Sequence, residues 1–189
     1  MKILFLGNNS KLINFLSYNS CEVLHHHDKI NLNFLTKNNI EFIISYGYRY
    51  IINQEIINLF KNKLINLHIS YLPFNRGASP NLWSAIDKTI KGVTIHYIDK
   101  KIDTGDIIIQ KEINFNDNIS LKESYIILKT QIEDMFIENW HKIKKGSIKP
   151  KKQNLKEGSF HTVKQTNDIM EKLDIKNWDI TFKDIINKI

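Results

Sequence analysis

Hydrophobic and polar positions change period several times along this chain, and each change marks an element. Lys2 to Leu6 form a short apolar run closed by Gly7. Leu12, Ile13, Phe15 and Leu16 then recur at helical spacing behind Asn8, Asn9 and Ser10. This succession predicts a strand, a turn and a capped helix. Glu22 to Leu24 suit a second short strand, and Leu32, Phe34 and Leu35 a short helix. The run EFIIS, Glu41 to Ser45, reads as a buried strand. Ile52, Ile56, Ile57 and Phe60 give a helix over Ile51 to Phe60, and Leu64 to Leu67 give another strand. Strands alternating with helices at this pitch imply βαβ units and a parallel sheet.

Past Tyr71 the pattern changes. Leu72 to Asn81 (LPFNRGASPN) holds a glycine and two prolines and reads as a long structured loop. A brief helix follows at Trp83 to Ile86. Val93, Ile95 and Tyr97 alternate within Gly92 to Ile98, and Asp106 to Ile113 is a further strand. The connection between them, Asp99 to Gly105, suits an antiparallel addition to the parallel sheet. Ser120 and Glu123 form a capping box. The helix behind them carries an apolar stripe of Leu121, Tyr125, Leu128, Ile132, Met135 or Phe136, and Trp140, which reads as core. Gly146, Pro150 and nearby lysines mark a linker. Two weakly amphipathic pieces follow, around Ile169 to Leu173 and Phe182 to Ile189. The expected organisation is an α/β domain over 1–145 and an extension over 146–189 packed upon it.

Composition narrows the class only in part. The 189 residues suit one full core, and 42% hydrophobic content is ordinary for a globular protein. No stretch approaches the ~20 apolar residues of a membrane span, and the opening apolar run is short for a signal peptide. A cytoplasmic location is therefore expected. A single cysteine, Cys21, excludes an intramolecular disulfide and a cysteine-based metal cluster. The net charge of +7 raises the question of nucleic acid. The lysines are spread thinly except near Lys142 to Lys152, where a solvated run is the simpler reading. A mild positive field would still attract an anionic small molecule.

Candidate chemistry begins at Asn66 and His68. They are two apart at the end of a strand, so an extended chain points both to one face. Ligands of open α/β sheets bind at such strand ends. Alone, Asn-x-His is more often structural than catalytic. Asp103 lies in Ile102-Asp103-Thr104-Gly105-Asp106, where Gly105 permits a sharp turn. A polar turn is the simpler reading unless the loop folds back over His68. Gly7-Asn8-Asn9-Ser10 opens a helix, a position that favours anions, but it lacks the full dinucleotide fingerprint. His25, His26 and His27 are adjacent, so they cannot all face one ion from a strand, and no metal is expected. His96, in an alternating strand, and Trp83 read as structural.

Taken together, N-L-H-I-S-Y-L-P-F-N-R-G-A-S-P, then G-V-T-I-H-Y-I-D, then I-D-T-G-D-I-I resemble the signature of the folate-dependent formyltransferase catalytic domain. The likeness is densest over Asn66 to Gln110 and runs more weakly from Met1 to about Trp140. It implies a Rossmann-like formyltransferase fold, a mostly parallel twisted sheet with flanking helices and a short C-terminal extension. The family's catalytic trio falls on Asn66, His68 and Asp103. Its pterin pocket corresponds to Tyr48, Arg49, Tyr50, Ile51 and Ile52, with Ile98, Asp99 and Asp103 from the later loop. Acceptor contacts are expected from Asn8, Asn9, Ser10, Arg76 and Gly77. Ile69 stands where many members have proline. The implied co-substrate is N10-formyltetrahydrofolate, whose formyl group passes to a primary amine, with Asn66 and His68 donating to the oxyanion and Asp103 orienting His68.

Three acceptor classes compete. The tRNA enzymes of the family add a β-barrel, and the roughly 40 residues after the linker are few for such a domain. The glycinamide ribonucleotide enzymes carry a glycine-rich first turn and D-G-G-P, where this chain has Asn8-Asn9 and Asp103-Thr104-Gly105-Asp106. Ser45 to Tyr48, Pro80 to Trp83, Lys91 to His96 and Gln153 to His161 resemble a compact subgroup. It contains formyltransferases of the pseudaminic-acid type and the formylation domain of linear-gramicidin synthetase. The expected acceptor is a UDP- or dTDP-linked amino-dideoxy sugar destined for a surface glycan such as lipopolysaccharide. Nucleic acid and membrane are not expected as partners, and a homodimer is left open. The alternatives are transfer to another amine (glycinamide ribonucleotide, aminoacyl-tRNA or a carrier-bound amino acid) and a non-catalytic nucleotide-binding module.

Overall fold

The computed structural model describes residues 1–19 and 21–189. Its elements run β1 (Lys2–Gly7), α1 (Ser10–Tyr18), β2 (Glu22–His26), α2 (Leu32–Lys37), β3 (Phe42–Tyr46), α3 (Gln54–Leu59) and β4 (Leu64–His68). They continue with β5 (Arg76–Gly77), α4 (Pro80–Ile86), β6 (Gly92–Tyr97), β7 (Ile107–Glu112) and α5 (Leu121–Lys145). The last are β8 (Phe160–His161), α6 (Val163–Lys172) and α7 (Phe182–Asn187). A six-stranded sheet has the order β2-β1-β3-β4-β6-β7. Strands β1 to β4 pair in parallel, β6 lies antiparallel on β4, and β7 antiparallel on β6. The sheet is therefore mostly parallel with one reversed strand, the Rossmann-like arrangement expected.

Alternation along the strands supplies two cores. Ile3, Phe5, Ile44, Ile65, Leu67 and Ile95 face α1 and α5, whose Leu12, Leu16, Ile132, Phe136 and Trp140 cover them. Leu4, Leu6, Ile43 and Leu64 face α2 and α3 through Leu35, Ile56 and Phe60. A strand buried on both faces reads as a continuous apolar run, as β1 does. Asn66 and His68 share the side of Leu64 by the two-residue period, so they emerge at the carboxyl edge of β4.

Several boundaries differ from the sequence expectations. The third helix starts at Gln54, not Ile51, because the Asn53 side chain caps it by accepting from Ile56 N–H. Ile51 is left 78% exposed. The long loop ends earlier than expected, since Pro80 occupies the first turn of α4. Within that loop Arg76 and Gly77 pair in parallel with Phe160 and His161 of the extension, a contact no local pattern announced. Tyr125 is 41% exposed and packs edge-on against Trp178, so it lies outside the core stripe. The helix of the extension begins at Val163, where Thr162 and Gln165 form a capping box.

Residues after 146 are tied to the sheet at several points. Lys151 and Ile107 exchange backbone hydrogen bonds at 2.8 Å. Leu173, Ile175, Phe182 and Ile185 share a buried cluster with Leu82, Ala85 and Leu121. No helix among the described residues is long and apolar enough to cross a membrane.

Candidate active site

The Asp103 loop folds back over β4. Gly105 explains how: a Cβ there would lie 1.9 Å from the Tyr97 carbonyl oxygen, so only glycine lets the loop close on β6. The left-handed backbone falls on Asp103 itself, at φ 53, and not on Gly105. Asp is among the side chains that tolerate this region. The sharp turn assigned to Gly105 from sequence is thus a close approach, and the turn conformation belongs to the acid.

Asp103 meets five partners there. Oδ2 accepts the Gly77 backbone N–H at 2.9 Å and lies 3.6 Å from His68 Nδ1. Oδ1 lies 3.3 Å from Asn66 Nδ2 and 3.5 Å from His96 Nε2. Gln153 donates its amide to the Asp103 carbonyl at 3.0 Å. Burial alone would raise the carboxyl pKa. The His68 and His96 rings and the Gly77 N–H outweigh it and hold Asp103 well below the usual carboxylate range. His68 is itself buried, and burial pulls its pKa below the usual histidine value against the opposing pull of Asp103. The resting pair is a neutral imidazole beside a carboxylate.

His68 lies between two acceptors, since its Nε2 is 3.4 Å from the Asn75 carbonyl oxygen. A neutral ring can donate to only one of them. Taking up a proton gives each acceptor a donor, which suits His68 to receive one.

The Asn66 amide differs from the simple expectation of a free donor. One contact runs to Asp103 Oδ1 and another, also 3.3 Å, to His96 Nε2. The Nδ1 of His96 lies 2.8 Å from the Tyr97 carbonyl, which can only accept, so Nδ1 carries a proton, while Nε2 faces both the Asn66 amide and Asp103 Oδ1. Both contacts are long beside an ordinary ~2.9 Å, so an incoming oxyanion can take one over. From sequence alone His96 reads as structural. It is buried at the centre of the cluster, because β4–β6 register sets it opposite Asn66. That register was the missing signal.

The other expected residues divide. Ile52, Tyr48 and Ile98 pack into one cluster on the Asn66 side of the sheet, joining the two predicted pterin segments. Tyr48 donates its hydroxyl to the Asp28 carbonyl, and its ring lies 5.4 Å from that of Tyr50. Tyr50 and Ile51 stay exposed on this rim. Arg49 and Asp99 lie in the same two loops. Asn9 is buried and largely committed: it caps α1 by accepting from Leu12 N–H and donates to the buried Glu133 at 2.7 Å. Asn8 and Ser10 remain exposed at the helix start. Gly77 spends its N–H on Asp103, so this donor is not free for an acceptor molecule. Arg76 donates Nε to the Ser159 carbonyl at 3.2 Å. Among the described residues no group of three or more His, Cys, Asp or Glu could hold a metal ion.

Residues 8–138 match the family model described as formyl transferase. The chain belongs to the formyl transferase family. It is similar throughout to the formyltransferase PseJ from Anoxybacillus kamchatkensis, with 45% identity and a TM-score of 0.93. That likeness covers 100% of this chain and 99% of PseJ, whose crystal structure contains UDP-4,6-dideoxy-4-formamido-L-AltNAc and tetrahydrofolate. WlaRD, a sugar 3N-formyl transferase, is 27% identical with a TM-score of 0.73, covering 100% of this chain and 78% of WlaRD. A methionyl-tRNA formyltransferase from Thermodesulfovibrio yellowstonii is 41% identical over 116 residues, 61% of this chain. The chain spans 38% of that relative and 51% of a second methionyl-tRNA formyltransferase, so it covers only part of these curated relatives.

Proposed function

We propose that this formyl transferase family member moves the formyl group of N10-formyltetrahydrofolate to the primary amine of a nucleotide-linked amino-dideoxy sugar. The observation that carries this reading is the likeness to PseJ along both whole chains, joined to an intact Asn66, His68 and Asp103 cluster.

The chemistry follows from the resting charges. The neutral amine attacks the formyl carbon, a C–N bond forms, and negative charge collects on the formyl oxygen. Asn66 Nδ2 turns one N–H from its long contact to that oxygen. A preorganised donor of this kind contributes roughly 3 kcal/mol at the transition state. His68, neutral and flanked by two acceptors, takes the proton released by the amine, with the Asp103 charge stabilising the imidazolium. As the bond from carbon to N10 breaks, the same proton is available to N10, so each turnover leaves the protein in its starting state. The apolar rim of Tyr48, Tyr50, Ile51, Ile52 and Ile98 suits a flat pterin ring. The exposed Asn8 and Ser10 at the α1 N-terminus, with Arg76, suit the anionic part of the acceptor.

The test is a mass-spectrometric transfer assay with N10-formyltetrahydrofolate and a panel of UDP- and dTDP-linked 4-amino-dideoxy sugars. Glycinamide ribonucleotide and methionyl-tRNA serve as competing acceptors. A gain of one formyl mass on a sugar nucleotide supports the reading and identifies the sugar. Transfer only to methionyl-tRNA or to glycinamide ribonucleotide overturns the acceptor class, and failure to bind folate overturns the activity.

A further inference from the structure

We infer that Gln153, from the segment after α5, is a positioning residue for Asp103: it holds the acid's loop in the one conformation that presents the carboxylate to His68 and Asn66. This rests on the catalytic assignment of Asp103 proposed above.

The geometry begins at Lys151. Its N–H and carbonyl both bond Ile107 at 2.8 Å in an antiparallel bridge at the start of β7. Two residues on, that register sets Gln153 beside Gly105. The Gln153 amide nitrogen donates to the Gly105 carbonyl at 2.7 Å and to the Asp103 carbonyl at 3.0 Å. One side chain therefore spans the turn and holds the 103–104 and 105–106 peptide planes on either side of it. Asp103 has a left-handed backbone at φ 53, a region Asp tolerates without favouring, so contacts on both sides of the residue help to hold it there. On one side the Gly77 N–H holds the carboxylate. Gln153 holds the carbonyl of the same residue from the other.

The rest of the amide argues for function over simple packing. Gln153 Oε1 is buried and has no hydrogen-bond partner among the described residues. A buried acceptor without a donor is unfavourable, so packing alone would select an apolar side chain here. What an apolar side chain cannot supply is the pair of N–H groups aimed at residues 103 and 105. The extension contributes elsewhere to the same site. Ser159 Oγ accepts the Asn75 N–H at 2.8 Å, and it is the Asn75 carbonyl that faces His68 Nε2. Both partners of His68 are thus braced by residues beyond the long helix.

The substitution that isolates the donors is Gln153→Met, which keeps length and volume and removes both N–H groups. It is measured by steady-state formyl transfer alone and combined with Asp103→Asn. The expected result is a fall in kcat of at least ~10-fold, since small misplacements at a reacting centre reach ~100-fold. Both KM values should stay within about twofold, which marks an interaction felt in the transition state. In the Asp103→Asn background the same substitution should cost less than about twofold, because a residue acting through Asp103 has nothing left to position. Hydrogen exchange should rise in the segment 102–106 and stay unchanged in β1. If Gln153→Met does not fold, Gln153→Leu carries the same test, being apolar and without amide donors. Unchanged kcat, a loss confined to KM, or an equal loss in both backgrounds overturns the inference. An active Gln153→Met beside a crippled Asp103→Asn removes this inference alone. A fully active Asp103→Asn removes the site assignment and the inference with it.

Discussion

The backbone N–H of Gly77 donates to Asp103 Oδ2 at 2.9 Å, joining a loop that precedes α4 to the loop between β6 and β7. Residue 77 must be glycine for two reasons. Its φ is 89, and a Cβ would lie 2.3 Å from the His161 carbonyl oxygen. Gly77→Ala should therefore cost about 1–3 kcal/mol of stability and move the donor off Asp103. Urea unfolding with parallel measurement of kcat checks this. A variant as stable and as active as the parent would show that the contact is incidental.

Removal of each member of the trio is the direct trial of the site. Asn66→Ala, His68→Ala and Asp103→Ala should each keep the fold and lose at least ~100-fold in turnover, the lower end for acid–base groups. Circular dichroism checks the fold and product mass the rate. Near-normal rates in all three would refute the assignment.

The pH profile follows from the sign of the His68 shift. Its folded pKa is lowered by burial, so the ring stays neutral at pH values where a free histidine would begin to protonate. Activity that needs the neutral ring is full at neutrality and fails only as pH falls through this lowered value. The acid limb of kcat/KM should therefore lie below about pH 6.5, the unperturbed histidine value. Because the unfolded chain binds the proton more readily, His68 also withdraws stability as pH falls below that same value. The limb belongs to the coupled His68–Asp103 pair and not to either group alone. A limb at or above pH 7 in a steady-state profile would contradict the neutral resting ring.

Arg76 tests the acceptor side. Its Nε bonds the Ser159 carbonyl, which holds the guanidinium at the edge of the site. If its remaining N–H groups meet a diphosphate, Arg76→Ala removes charge-assisted hydrogen bonds of about 1.5–3 kcal/mol. That corresponds to a rise of ~10-fold or more in the acceptor KM, with the folate KM unchanged. Equal changes in both constants would point to a disturbed β5–β8 pairing.

Local signals carried much of this molecule and failed at particular places. The period of Leu4, Leu6 and their neighbours, the Ser120–Glu123 box and the Asn-x-His spacing are all local, and each is found as the sequence implies. The resemblance, and no local pattern, linked Asp103 to His68. Read alone, D-T-G-D is an ordinary turn. The contacts of His96, Gln153 and Ser159 are not legible locally, because they are made 7 to 84 residues away in the chain and set by β4–β6 pairing, the Lys151 bridge and the Asn75 contact. Asn9 is the converse case: its place at a helix start suggests a ligand contact, while the side chain itself turns inward to Glu133 and the Leu12 N–H.

Phe182 tests how far the extension's stability and the site are separable. The ring, at the start of α7, is fully buried against α4 and the start of α5, edge-on to Phe115, with Lys91 Nζ 5.1 Å from its centroid. Phe182→Ala should cost about 3–5 kcal/mol, which for a chain of this size lowers Tm by roughly 10 °C. None of Asn66, His68, Asp103 or Gln153 belongs to that cluster. Below the new transition, kcat should then stay within about twofold of the parent, because distant sites act independently. Thermal unfolding followed by circular dichroism, with rates taken 20 °C or so below the midpoint, separates the two effects. A large fall in kcat without loss of folded protein would mean that α7 shapes the site through α4. A shift in Tm under about 2 °C would mean that the extension contributes little to the fold it covers.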